Sequence, residues 1–286
     1  MLDQAESLRK MVQVTTPVAT PKIITISSGK GGVGKSNIVV NLGIALQKLG
    51  KKVLIFDADV GMGNDDVLLG FLPKYSVMDV VYNNKDINDV IIHGPYGISL
   101  LPGGSGFNKI DELKKKQRED FIKKLSSLQG LDYILMDTGA GINKSVLGFT
   151  SCCEELILIT TPEPTALTDV YSLLKAIDHF KLKNDAKILV NRVMDEKEGN
   201  KTFSKLNNAA NSFLNIKLEH LGNISDDSKV SQAVRKQEPF IVSFPNSMIS
   251  REITSIANKI IGSKDIHEKD IDGIQGLFKE IFRIFS

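Results

Sequence analysis

The chain has 286 residues, 42% of them hydrophobic, and a formal net charge of +2 from 36 basic and 34 acidic residues. That length and apolar content can bury a full core, and no Pro/Gly/Ser-rich linker divides the chain, so one domain with short appendages is expected. The near-neutral, interspersed charge argues against a nucleic-acid partner, Cys152 and Cys153 are adjacent and so offer neither a disulfide framework nor zinc-ligand spacing, and there is no signal peptide and no apolar run of ~18 residues, which together imply a reduced, cytosolic setting.

In chain order, residues 1–21 come first. Leu2, Ala5, Leu8 and Val12 could line one side of a short helix. A helix so short is marginal in water, so the segment reads either as a frayed tail or as one that orders on a partner. KIITISS (22–28) then reads as a buried strand, as do KVLIFD (52–57), ISLLP (98–102), DYILMD (132–137), ELILITT (155–161) and AKILVN (186–191). Several are near-continuous in Ile, Leu and Val, the pattern of a parallel sheet covered on both faces. Helical periodicity falls near 35–49, 111–128, 165–183 and 200–214. The basic run from Lys109 to Lys124 also holds Asp111, Glu112, Glu119 and Asp120, so it reads as a solvated helix face. Strand–helix alternation of this kind predicts a doubly wound α/β domain, mostly parallel, whose ligands sit beyond the carboxyl ends of the strands.

The chemistry falls at those ends. SSGKGGVGKSN (27–37) satisfies G-x-x-x-x-G-K-[ST] from Gly29 to Ser36, directly after a strand and opening a helix. Gly29, Lys30, Gly31, Gly32, Val33, Gly34, Lys35, Ser36 and Asn37 are therefore the candidate nucleotide-phosphate loop. Its backbone N–H groups and the helix N-terminus face one anion. Lys35 is placed to reach the β and γ phosphates, and the Ser36 hydroxyl to bind Mg²⁺. Two strands end in carboxylates, Asp57 and Asp137, which are the candidate metal-site acids. Asp137 runs into TGAG, where Gly139 and Gly141 permit a switch movement when the γ-phosphate leaves. Asp59, just outside its strand, is placed either to orient an attacking water or to cap a turn.

GKGGVGKS, DADVGMGN and LMDTGAG, in this order and spacing, resemble the deviant Walker A ATPases of the MinD/ParA class, from about Lys22 to Gly262. The resemblance implies that the extra lysine, Lys30, crosses an ATP-dependent homodimer interface to the partner's phosphates, as an arginine finger does. It also implies that Asn191, with Arg192 beside it, meets the adenine. LGNISDDSKVSQAV resembles a second base loop written G-x-I-P-x-D, which singles out Ile224, Ser225 and Asp227, with Ser225 where that pattern has proline. A rigid turn at 224–227 is therefore in question.

The two ends narrow the family. At ~100° per residue, Ile271, Ile274, Leu277, Phe278, Ile281, Phe282, Ile284 and Phe285 fall in an arc of about 160°, with every polar residue and glycine outside it. A terminal core helix would show the same wheel. The preceding polar stretch GSKDIHEKD and the three phenylalanines at the very end favour an interfacial, membrane-binding helix. DQAESLR is similar to the D-Q-A-x-x-L-R segment of the FlhG (YlxH) family of flagellar placement and number regulators, matching at Asp3, Gln4, Ala5, Leu8 and Arg9. That resemblance implies stimulation of the FlhF-type GTPase and contact with flagellar switch-complex proteins. The expected organisation is thus 1–21 partner-activating, 22–262 ATPase domain, and 263–286 linker and tail. The expected protein hydrolyses ATP to ADP with Mg²⁺, slowly without a partner, and in the ATP state sits as a peripheral dimer on the inner face of the cell membrane. A MinD-type division-site regulator and a ParA-type DNA-partition ATPase share the chemistry; an iron–sulfur reductase would need cluster cysteines that Cys152 and Cys153 are poorly placed to supply.

Overall fold

The computed structural model describes residues 21–59, 63, 65–104, 115–125, 128 and 130–262. The amino-terminal positions Asp3 to Arg9 and the tail positions Ile271 to Phe285 singled out above lie outside them. The strands are β1 (Lys22–Ser28), β2 (Val53–Ala58), β3 (Ile92–His93), β4 (Ser99–Pro102), β5 (Tyr133–Ala140), β6 (Glu155–Thr160), β7 (Asp185–Val193) and β8 (Lys217–Ser225). They form one sheet in the order β3-β4-β2-β5-β1-β6-β7-β8. Among the described residues every pairing is parallel except β3 with β4. The expected doubly wound, mostly parallel architecture is the one observed. Because the order turns at β1, the chain's own switch point lies at that strand's carboxyl end, where the phosphate loop begins.

Around the sheet lie α1 (Lys35–Lys48), α2 (Asp65–Leu68), α3 (Val77–Tyr82), α4 (Ile87–Val90), α5 (Lys115–Leu125), α6 (Lys144–Cys152), α7 (Pro164–His179), α8 (Glu196–Phe213), α9 (Ser228–Arg235), α10 (Phe240–Ser243) and α11 (Met248–Gly262). Successive strand residues feed opposite cores, as a pleated strand requires. Leu54, Phe56, Ile134 and Met136 pack on one face with Phe149 of α6 and Leu173 and Ile177 of α7. Phe149 meets Phe56 edge to face, with ring centroids 6.2 Å apart. Ile24, Ile26, Ile55 and Leu135 pack on the other face with α1 and with Ile249, Ile253, Ile256 and Ile260 of α11.

Several elements differ from the sequence reading. β8 was not anticipated, because it carries Lys217, Glu219, His220 and Asn223 among its apolar residues and so shows no apolar run. It is the sheet's edge, one of the few places in a parallel sheet where a strand escapes burial on both sides. The helix expected over 165–183 stops at His179, and Lys181 takes a left-handed φ of 53°. The helix expected from 200 starts at Glu196, because the Asp195 side chain caps it by accepting the N–H of Glu198 at 2.8 Å. The described part of the helix expected over 111–128 is α5.

Candidate functional site

The phosphate loop joins β1 to α1 through backbone that only glycine accepts cheaply. Gly32 and Gly34 have φ of 79° and 91°. Gly29 lies so close to α7 that a Cβ there would meet the backbone of Asp169 and Val170 at 2.2 Å. No acidic residue stands in the first turn of α1, so its positive end is open to an anion. Lys35 opens that helix with its ammonium 2.5 Å from the Asp137 carboxylate, and both side chains are buried. Burial pulls the Lys35 ammonium down, but Asp137, Asp65 and Asp59 together outweigh it and hold its pKa above the ordinary value.

The two carboxylates are register partners, Asp57 on β2 beside Asp137 on β5. Asp57 is the penultimate residue of β2, but β5 runs on through Thr138 and Gly139 to Ala140, so Asp137 lies inside its strand and not at the end expected from DYILMD. Burial first, and then the Asp137 charge, push the Asp57 carboxyl up to about 7, against the backbone N–H of Asp59, which donates to it at 3.2 Å. Gly63 folds over this carboxylate so closely that a Cβ would meet an Asp57 oxygen at 2.2 Å. Asp59 lies against the switch segment: a Cβ on Gly139 would come within 3.4 Å of its carboxylate.

The sequence reading missed Asp65. This residue opens α2 and is fully buried, and among the described residues no donor lies within hydrogen-bond geometry of either carboxylate oxygen. Burial, followed by Asp137 and Asp57, drives its pKa well above the ordinary value, with Lys35 opposing. The signal was available in DADVGMGNDD, but only the fold turns that acid inward. Lys35 thus stands among Asp57, Asp59, Asp65 and Asp137, an excess of hard oxygen donors with one orphaned carboxylate, and this donor set fits Mg²⁺. Among the described residues no three acidic, His or Cys groups form a ready cage. That suits an ion that keeps water and phosphate oxygens in its shell, for which Ser36, Asp57 and Asp137 are the candidate contributors.

Lys30 takes a different course from Lys35. Its ammonium lies on the loop entering α7, 3.0 Å from the Glu163 carboxylate and 2.8 Å from the Thr165 hydroxyl, partly exposed. The residues assigned to the base line the carboxyl ends of β7 and β8. Asn191 is buried and its amide donates to the Val33 carbonyl at 2.7 Å, tying β7 to the phosphate loop. Arg192 has φ 56° at a register break between the two strands, a conformation costly for a non-glycine residue. Ile224 is buried in the core, and Asp227 caps α9 by accepting the N–H of Lys229 at 2.8 Å. Ser225 is held from outside the loop: its N–H and its hydroxyl both donate to Glu252 of α11, at 2.9 and 2.6 Å.

The family model described as "CobQ/CobB/MinD/ParA nucleotide binding domain" matches residues 24–240, a span that includes the phosphate loop, Asp57, Asp137 and Asn191 to Asp227. The chain belongs to that family. Two relatives are similar over most of the chain. Antiactivator FleN of Pseudomonas aeruginosa is 36% identical over 240 residues, covering 84% of this chain and 86% of the relative. Flagellum site-determining protein YlxH of Helicobacter pylori is 32% identical over 293 aligned positions, covering 99% of each chain. Among solved structures, the MinC:MinD cell division protein complex of Aquifex aeolicus matches with a TM-score of 0.69 at 26% identity, over 87% of this chain and 98% of that one. As a MinD/ParA-family member the protein is a nucleotide-binding ATPase. No helix among the described residues is long and apolar enough to cross a membrane.

Proposed function

We propose that this MinD/ParA ATPase is a flagellar number and placement regulator of the FlhG/YlxH type, working as an ATP-driven monomer–dimer switch. The observation that carries this reading is the alignment with YlxH of Helicobacter pylori over 99% of both chains, since it includes the two ends as well as the ATPase domain. In this reading the glycines and N–H groups of 29–37 bind the phosphates, and Lys35 exchanges Asp137 for the β and γ phosphates. Ser36, Asp57 and Asp137 hold Mg²⁺ and its waters, which neutralise the developing phosphate charge. Asp59 orients the attacking water. Lys30, outside the carboxylate cluster of its own subunit, is free to exchange Glu163 for the phosphates of a partner subunit. The site's excess of carboxylates over lysines supports the need for that second cation.

Residues 1–21 act on an FlhF-type GTPase, residues 22–262 form the ATPase domain, and residues 263–286 place the dimer at the inner face of the membrane, where it meets flagellar switch-complex proteins. A division-site regulator is the second reading, favoured by the likeness to the Aquifex MinD complex. The amino end separates the two. A peptide of residues 1–20 should raise the turnover of an FlhF-type GTPase without the ATPase domain, and changing Gln4 and Arg9 to Ala should abolish this while leaving ATP hydrolysis unaltered. A GTPase indifferent to both peptide and full-length protein would move the division-site reading ahead.

A further inference from the structure

Ser225 ends β8 at the wall assigned to the base, and it stands where the resembling pattern has proline. Proline stiffens a turn by locking φ and needs no partner for an N–H it lacks. Serine does neither, and leaves a donor to be satisfied beside the site. Here one carboxylate meets both needs, because Glu252 accepts the Ser225 N–H at 2.9 Å and the Ser225 hydroxyl at 2.6 Å. Two bonds from one residue into one ionised group restrain backbone and side chain together, and charge-assisted bonds of this length are the strong ones. The next residues are tied as well: the Asp226 N–H donates to the Val193 carbonyl at 2.9 Å, and Asp227 caps α9. The loop is therefore rigid without proline.

We propose that Glu252 is a positioning residue for the nucleotide base, holding residues 224–227 against the adenine side of the pocket in place of the missing proline. The inference rests on the assignment of that loop to the base. Its contribution is separable from general packing, because α11 is tied to β8 a second time, away from the loop, where the Lys259 ammonium donates to the Leu221 carbonyl at 2.7 Å.

The test compares Mg-ATP with Mg-tripolyphosphate, which has the phosphates and no base, by titration calorimetry on the full chain. Glu252→Ala should weaken ATP by about tenfold, the worth of a charge-assisted bond, and leave tripolyphosphate unchanged. Glu252→Gln, which keeps an acceptor, should fall between. Lys259→Ala should lower the melting temperature without altering the ratio of the two affinities. Ser225→Pro placed in the Glu252→Ala chain should restore ATP binding. Equal losses for the two ligands, or unchanged ATP affinity in Glu252→Ala, would overturn the proposal. A wild-type chain that binds tripolyphosphate as tightly as ATP would instead remove the base-loop assignment, and this role for Glu252 with it.

Discussion

Lys30 and Lys35 share one loop yet differ in burial and partner, and that difference sets what each should do when removed. Lys35 and Asp137 are a buried pair, and deleting one partner of such a pair costs about 3–5 kcal/mol because the other charge is left uncompensated. Lys35→Ala should therefore lose both stability and ATP affinity. The Lys30–Glu163 pair is solvated, so Lys30→Ala should change stability by less than about 1 kcal/mol. It should bind ATP normally and fail to dimerise with it, whereas Asp59→Ala should bind Mg-ATP, stop hydrolysing and accumulate as dimer. Light scattering with ATP reads all three, and a normal ATP-dependent dimer from Lys30→Ala would end the cross-interface role. The acids add a pH dependence. Asp57 holds its proton more tightly in the folded chain, at about 7 against an ordinary 3.8, so its contribution to stability is full below 3.8 and is lost as pH rises to about 7. Asp65 acts in the same direction. Melts of Mg²⁺-free, nucleotide-free protein should show stability falling across this window, less steeply in Asp57→Asn, with Mg²⁺ opposing the fall. Parallel curves for the two proteins would mean that Asp57 does not carry the effect.

Among the elements, α11 bears on the fate of the chain's end. Its Ile249, Ile253, Ile256 and Ile260 cover the α1 side of the core. Removing residues 271–286 should accordingly abolish binding to anionic vesicles while leaving the melting temperature and ATP affinity near those of the full chain. A large fall in melting temperature would identify that segment as a core helix. The elements also show what could be read in advance. β1, β2 and β4 to β7 were legible because burial on both faces demands apolar runs; β8 was not, because an edge strand needs only one apolar face. The four-residue helices α2, α4 and α10 are shorter than two turns and leave no period to detect.

For the whole molecule, sequence determined those features whose cause is local. Strand, glycine loop and helix follow one another directly in the chain, so the phosphate site, its two lysines and the carboxylates Asp57 and Asp137 were all visible as residues before any fold was known. A parallel sheet also followed, because only burial on both faces explains such continuous Ile, Leu and Val. What tertiary structure alone decided were the partnerships between distant segments. Asp65 becomes a fully buried carboxylate only when α2 turns it toward Asp57 and Asp137, and Lys30 finds Glu163 only because α7 starts beside the loop. Ser225 looked like a lost constraint in its own stretch of chain. Glu252 restores that constraint from another element, because a hydrogen bond depends on distance in space and leaves no spacing in sequence to read.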